Sequence, residues 1–167
     1  MKHLHLLLVP VLLFAAPLHA APQAPDLGEQ LKKYEEVLKS KANEEEAIVF
    51  MDGFTSRFKL NLARIESIKD DLELKQGDLK ALAEELKALD KEQATLADAV
   101  HEAFIHSKRK DTNEANKSMW RAGAYALGQM GPLGAKRLWI IFEDKKFRKE
   151  LDLIGLVVEQ VGSTQDF

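Results

Sequence analysis

The chain contains no cysteine. Disulfides, thiolate metal sites and a cysteine nucleophile are therefore excluded together. An excess of positive charge is also missing: 24 Lys and Arg stand against 27 Asp and Glu, for a formal net charge of -3. Nucleic-acid affinity comes largely from many Lys and Arg contacts with phosphates, so general nucleic-acid binding is not expected. Apolar runs are short. The longest, residues 4–16, is broken by Pro10 and falls short of the roughly 20 residues that a spanning helix needs. Histidine is scarce as well. Of five, His3, His5 and His19 lie in the first 20 residues, leaving His101 and His106 for the rest.

What is present suits one ordinary domain. The 167 residues are 46% hydrophobic and 31% charged, enough to bury a core and stay soluble. Lys2, the apolar run after it and Pro17-Leu18-His19-Ala20 have the layout of a secretory signal peptide over residues 1–20. A mature start near Ala21, a secreted or periplasmic location and no stable membrane insertion after cleavage are expected. No cysteine follows the run, which argues against a bacterial lipid anchor.

Residues 21–42 read as a leader with Pro22 and Pro25, then a first helix. Asp26 followed by Glu29 has the form of a capping box, and Leu27, Leu31, Tyr34 and Leu38 fall on one helical face. Residues 43–110 read as a long helical coiled-coil segment. Asn43-Glu44-Glu45-Glu46 repeats the start signal, and Ile48, Met51, Phe54/Thr55, Phe58 and Leu62 carry the next stripe, with Gly53 inside it. Ile65, Ile68, Leu72, Lys75, Leu79, Leu82, Leu86, Leu89, Gln93, Leu96 and Val100 then keep an alternating spacing of three and four, the pattern of a coiled-coil seam. Another helix must cover this stripe. In one geometry the chain is a single long helix that pairs with a second copy. In the other, Gln76-Gly77-Asp78 is a turn and two arms fold back into a hairpin. Gly suits the position past a helix end and Asp the position before a helix start, yet the seam keeps its phase through Gly77.

Residues 111–167 differ in character. In the stretch WRAGAYALGQMGPLG, residues 120–134, Ala122, Tyr125, Ala126 and Met130 are expected on one packed side of a helix, with Gly123 and Leu127 adjoining. Gly131 suits a left-handed helix end and Pro132 the first turn of the next helix. Leu138, Ile141 and Phe142 give that helix its stripe, with Trp139 beside it. Asp144 and Lys145 make a corner, and a third helix points Leu151, Ile154, Val157, Val158 and Val161 inward. A shift of 31 residues places Gln129 on Gln160 and Gly131 on Gly162.

Trp120-Arg121, Ala124, Leu127-Gly128 and Met130-Gly131 match, in order, a signature of HEAT repeats, and residues 117–167 resemble that family. The resemblance implies a stacked helical solenoid that binds other macromolecules and usually lacks catalysis. It departs at Asp152, where the second unit's Arg belongs, and at Glu159, which stands where the first unit has Gly128. Solenoid units bury their faces only against neighbours. Either a truncated chain or the coiled-coil segment acting as cap follows.

Chemical motifs are weak. His101 and His106 in HEAFIH are five apart, about 140° around a helix, whereas zinc ligands on one helix face need a spacing of four. Gly128, Gly131, Gly134 and Lys136 lack the spacing and the strand of a phosphate loop. Ser107-Lys108-Arg109-Lys110 reads as cations at a helix end. Asn116-Lys117-Ser118 is a glycosylation sequon, and Asp70-Asp71 and Glu84-Glu85 read as solvated faces. The expected fold is all-α: coiled-coil helices followed by stacked short HEAT-like helices. The expected function is a non-enzymatic protein-interaction or scaffold module, or alternatively a homodimeric coiled-coil spacer of the cell envelope. No cofactor, metal ligand or catalytic residue is expected. The partner is an unspecified protein, with homodimerisation through the coiled coil left open, and Arg121, Lys136, Arg137 and Trp139 are the candidate interaction surface.

Overall fold

A computed structural model describes residues 26–40, 44–106 and 114–163. The signal-like segment, the proline leader, Asn43, the basic stretch at 107–110 and residues 164–167 lie outside the described residues. Within them the chain is all-helical: α1 (Leu27–Lys39), α2 (Glu44–Glu73), α3 (Leu79–His106), α4 (Glu114–Gly128), α5 (Gly131–Glu143) and α6 (Leu151–Ser163).

Asp26 caps α1, its Oδ1 accepting from the Gly28 amide at 2.6 Å, and Glu29 places a negative charge at the positive helix end. Tyr34 is buried, with Leu27, Leu31 and Leu38 packed around the same core. Its ring meets Phe54 of α2 edge-on at 5.1 Å between centroids. In α2, Met51, Phe54, Thr55 and Phe58 are buried as their spacing predicts. The Thr55 hydroxyl is satisfied within the helix by donating to the Met51 carbonyl at 2.8 Å.

The helix does not run through Gly77. It ends at Glu73 and restarts at Leu79. Lys75 (φ 54°) and Gly77 (φ 77°) take left-handed conformations in the turn, and Asp78 Oδ1 accepts from the Lys80 and Ala81 amides at 3.1 and 3.2 Å to cap α3. Of the two geometries left open by the sequence, the chain adopts the hairpin. Its antiparallel register is pinned by two arginines. Arg57 Nε and Nη2 donate to the two oxygens of Glu92 at 2.6 and 3.1 Å, and Arg64 does the same to Glu85 at 2.7 and 2.8 Å. Seven residues up α2 thus correspond to seven down α3. Along the seam, Ile65, Ile68, Gln93, Leu96 and Val100 are buried, Leu72, Leu82, Leu86 and Leu89 are half-buried, and Lys75 and Leu79 are exposed at the tip.

Helix α4 packs on α2, α3, α5 and α6. One core cluster therefore runs from Tyr34 of α1 to Val157 of α6. The small residues of the 120–134 stretch make this possible. A Cβ on Gly123 would stand 2.8 Å from Phe104 Cε2 of α3, and a Cβ on Gly134 would land in the Leu127 carbonyl. Gly131 is left-handed (φ 54°) and Pro132 opens α5. The packed face of α4 keeps Gly123, Ala126, Leu127 and Met130 as expected but loses Tyr125. Trp120, Ala124 and Leu127 are buried with Ala126 and Met130, whereas Tyr125 is 51% exposed, because α2, α3 and α5 gather on the Trp120 side. In α6, Leu153 and Val157 are buried, while Leu151 and Val158 face solvent. The corner between α5 and α6 holds a core residue that the periodicity did not flag, Phe147, which is buried edge-on against Trp120 and Phe104.

Two outcomes follow in stability measurements. Gly134→Ala forces backbone apart where α5 crosses the end of α4 and lowers unfolding free energy by about 1–3 kcal/mol. Gly53→Ala, with open space around it, raises stability by about 0.5–1 kcal/mol. Urea denaturation of both variants checks the pair, and equal effects would remove the close-approach account. The Arg57 guanidinium holds the Glu92 carboxyl below the usual carboxylate range, mainly through the hydrogen bond between them. A depressed folded-state value means stability that is present above the unfolded value and lost as pH falls. A double-mutant cycle with Arg57→Met and Glu92→Gln is expected to give about 1 kcal/mol of coupling at neutral pH, fading progressively below about pH 4.3.

Candidate functional site

Helix α5 carries five consecutive apolar residues, Leu138 to Phe142. At about 100° per residue such a run passes right round a helix, so one packed face cannot hide all of it. Leu138 and Ile141 are buried, but Trp139, Ile140 and Phe142 are 52%, 46% and 37% exposed. Trp139 and Phe142 stack at 5.3 Å between centroids, and the indole N–H donates to Glu143 at 3.0 Å. Ile105 at the end of α3 is 38% exposed. It lines a cleft of 310 Å³ together with His101, Phe104, Ile140, Ile141, Asp144, Lys146 and Phe147. Lys146 bridges its floor, donating to the Phe104 carbonyl at 2.9 Å with its ammonium 4.7 Å from the centre of the Phe147 ring. That carbonyl is one of the last four of α3, which have no partner inside the helix.

The four residues singled out from the sequence do not share one surface. Trp139 and Lys136 lie exposed on α5. Arg137 is drawn down against α3, where its Nε donates to Asp98 at 2.6 Å and its side chain keeps only 15% exposure. Arg121 lies in a different cleft, beside Lys117, Lys149 and the start of α6, with Nη2 3.7 Å from the Asp152 carboxylate. The sequence reading put Phe142 in the core stripe and missed Ile105 and Ile140. The unbroken apolar run of α5 was the signal for Ile140; nothing comparable marked Ile105.

The two histidines are parted, as their spacing implies. His101 faces the α3–α5 cleft, and its burial pushes the imidazole pKa down. His106 lines a separate cleft between α1 and α3, with Nε2 3.1 Å from Glu102 Oε2. Among the described residues no group of three or more His, Cys, Asp or Glu could hold a metal ion. Also among them, no helix is long and apolar enough to cross a membrane.

The α1–α3 cleft is lined by Leu31, Tyr34, Glu35, Ala99, Glu102 and His106. Glu35 accepts from Lys39 at 2.5 Å and also feels the charge of His106 across the cleft, and Glu102 pairs with His106. Exposed pairs at this spacing contribute little to stability. Behind the cleft lies the buried Tyr34 hydroxyl, which has no hydrogen-bond partner among the described residues. Burial, reinforced by the Glu102 charge, drives its pKa far above the usual tyrosine value, so it is a neutral phenol at any ordinary pH.

No protein-family model matches the chain, and no curated protein or solved structure matches it either. What the surfaces can do must come from their own chemistry.

An unpaired buried hydroxyl costs about 1–3 kcal/mol. Tyr34→Phe removes it and keeps the ring between Phe50 and Phe54, so the variant is expected to be about 1 kcal/mol more stable. Chemical denaturation of wild type and variant measures the difference. A clear loss of stability would show that the hydroxyl has a partner.

Proposed function

We propose that the protein is a non-catalytic interaction module that acts outside the cytoplasm and docks a partner protein on the outer face of α5. The observation that carries this reading is the exposed, stacked Trp139–Phe142 pair beside Ile140. Contiguous exposed apolar surface on a soluble domain marks interaction sites, and tryptophan is prominent among residues that dominate binding energy. The adjoining Ile105 groove extends the apolar surface, and Lys136 and Glu143 supply a charged border on the same helix. The location outside the cytoplasm is inferred from the signal-like residues 1–20, and the solenoid-like role of α4–α6 from the HEAT-type residues of 120–131. The alternative of a spacer whose job is length rested on an unbroken helix through Gly77. The turn there removes its main support.

Within this reading Arg137 and Arg121 are not anchors. Arg137 is held inward against Asp98, and Arg121 faces a different cleft beside the start of α6. Trp139 is the residue to test. A photo-crosslinking amino acid placed at position 139 in the native host is expected to give a discrete adduct with one protein. The same group at exposed Glu66 on the hairpin arm is expected to give none. With that protein purified, Trp139→Ala is expected to weaken binding at least about tenfold, as for a residue at the centre of an interface. Absence of an adduct at 139, or equal labelling at 66, would remove the docking assignment.

A further inference from the structure

The apolar face of α5 is set in a basic stretch of an acidic protein. From Lys136 to Lys149 the chain carries six Lys and Arg against two acids, Glu143 and Asp144, although the formal net charge of the whole is -3. Some of these cations look elsewhere: Arg137 is held by Asp98, and Lys149 lines the cleft beside α6. Lys136 and Lys145 are exposed and bracket the patch, three residues before Trp139 and three after Phe142. Neither has an ion-pair partner among the described residues. The two acids, by contrast, are engaged within the chain. Glu143 accepts from the Trp139 indole at 3.0 Å, and Asp144 Oδ1 accepts from the Lys146 amide at 2.8 Å. We infer that the partner presents to α5 an acidic, amphipathic segment, its apolar side chains covering Trp139, Ile140 and Phe142 and its Asp or Glu carboxylates meeting Lys136 and Lys145.

This inference rests on the reading of α5 as a docking face and adds the chemistry of what docks there. Charges at the rim of an apolar interface decide which partner is accepted and how fast it arrives. A basic segment sets like charges against Lys136 and Lys145. An uncharged apolar segment strips water from both ammonium groups and gives them nothing in return. An anionic bilayer shares the charge preference. Its flat surface cannot enter the 310 Å³ cleft beside Ile105 and Ile140, however, whereas a protruding side chain of a peptide can reach the Phe147 ring there. The cleft and the charged rim together therefore favour a protein segment over a membrane.

The test maps, by mass spectrometry, the segment of the captured protein that carries the adduct from the photo-crosslinking residue at position 139. That segment is expected to have a net negative charge. Adding Lys136→Glu and Lys145→Glu to the crosslinking chain is expected to lower adduct yield at least about fivefold, while Lys136→Arg and Lys145→Arg together keep it within about twofold. A synthetic peptide of the mapped segment is expected to bind the full chain about tenfold more weakly at about 0.5 M than at about 0.05 M salt, because rim charges are screened. Both lysines are exposed, so the variants are expected to fold, and unchanged helical circular dichroism verifies it. A mapped segment of zero or positive net charge, a yield untouched by the glutamates, or affinity indifferent to salt would overturn the acidic partner and leave docking at α5 standing. No adduct at all removes the docking reading and this inference with it. An adduct of the chain with itself gives the face to a second copy. Sedimentation with vesicles of phosphatidylglycerol and phosphatidylcholine that is lost in Trp139→Ala gives it to a membrane. Either result also overturns the acidic partner.

Discussion

Helix α4 can touch four other helices only because its surface is nearly smooth where they cross it. Gly123 admits the ring of Phe104, Ala124 is fully buried, Gly128 receives the side chain of Gln160, and at the corner Gly134 lies against the Leu127 carbonyl. Each substitution of a hydrogen by a methyl along this line would push a neighbour outward, and packed interiors transmit such displacements because they contain few voids. The small residues of 120–134 thus do one thing together. They let the hairpin and the α5–α6 pair share a single core, where a larger residue would leave two halves with separate, thinner cores. The large residues then fill what remains: Phe147 meets Trp120 and Phe104 edge to face, with Lys146 laid over the Trp120 and Phe147 rings.

The same constraint grades the hairpin along its length. Near its base the α2–α3 seam is covered by α1, α4 and α5, and Leu96, Ala97 and Val100 are wholly buried. Farther out two helices must cover the stripe alone. A pair of helices buries one face of each residue row, so Leu82, Leu86 and Leu89 stay half-open although their spacing is as regular as that of Leu96 and Val100. Position, not pattern, sets their burial. The arm is held in register by the two arginine–glutamate pairs, which give direction more than stability: surface pairs contribute about 0–1 kcal/mol, yet a slip by one residue would break both at once.

This explains which parts were legible beforehand. Helix ends and corners were readable where they depend on neighbours in sequence: Asp26 at its cap and the left-handed Gly131 followed by Pro132; the turn at Gly77 with its Asp78 cap was one of two open geometries, because the seam keeps its phase through it. Which residues belong to the stripes of α1 and α2 was readable for the same reason. The buried side of α4 was readable at Gly123, Ala126, Leu127 and Met130 but not at Tyr125, because only the placement of the helices packed on α4 decides which large residue at the edge of a stripe is covered. Phe147 was missed because it sits in a corner and has no period to belong to. Of the candidate surface, Trp139 is exposed, whereas Arg137 is turned inward against Asp98. An arginine's role is fixed by the carboxylate that tertiary structure brings to it, and nothing local places Asp98 beside residue 137. The unmatched Tyr34 hydroxyl was likewise invisible, since a tyrosine on an apolar face looks the same whether or not its hydroxyl finds a partner.

The departures from a tidy pattern are where function is best sought. A helix that needed only to pack would carry polar residues where α5 carries Trp139, Ile140 and Phe142, and a tyrosine that needed only to pack could be a phenylalanine. Natural sequences keep local choices consistent with the fold, and the inconsistent positions gather at sites that serve something else. Here they gather at two places on opposite sides of the end of α3: the α5 face beside His101 and Ile105, and the α1 cleft beside Glu102 and His106. Five residues along one helix, His101 to His106, separate them by nearly half a turn around its axis. The last turns of α3 therefore have an apolar neighbour on one flank and an acidic cleft on the other, and a single helix carries both surfaces.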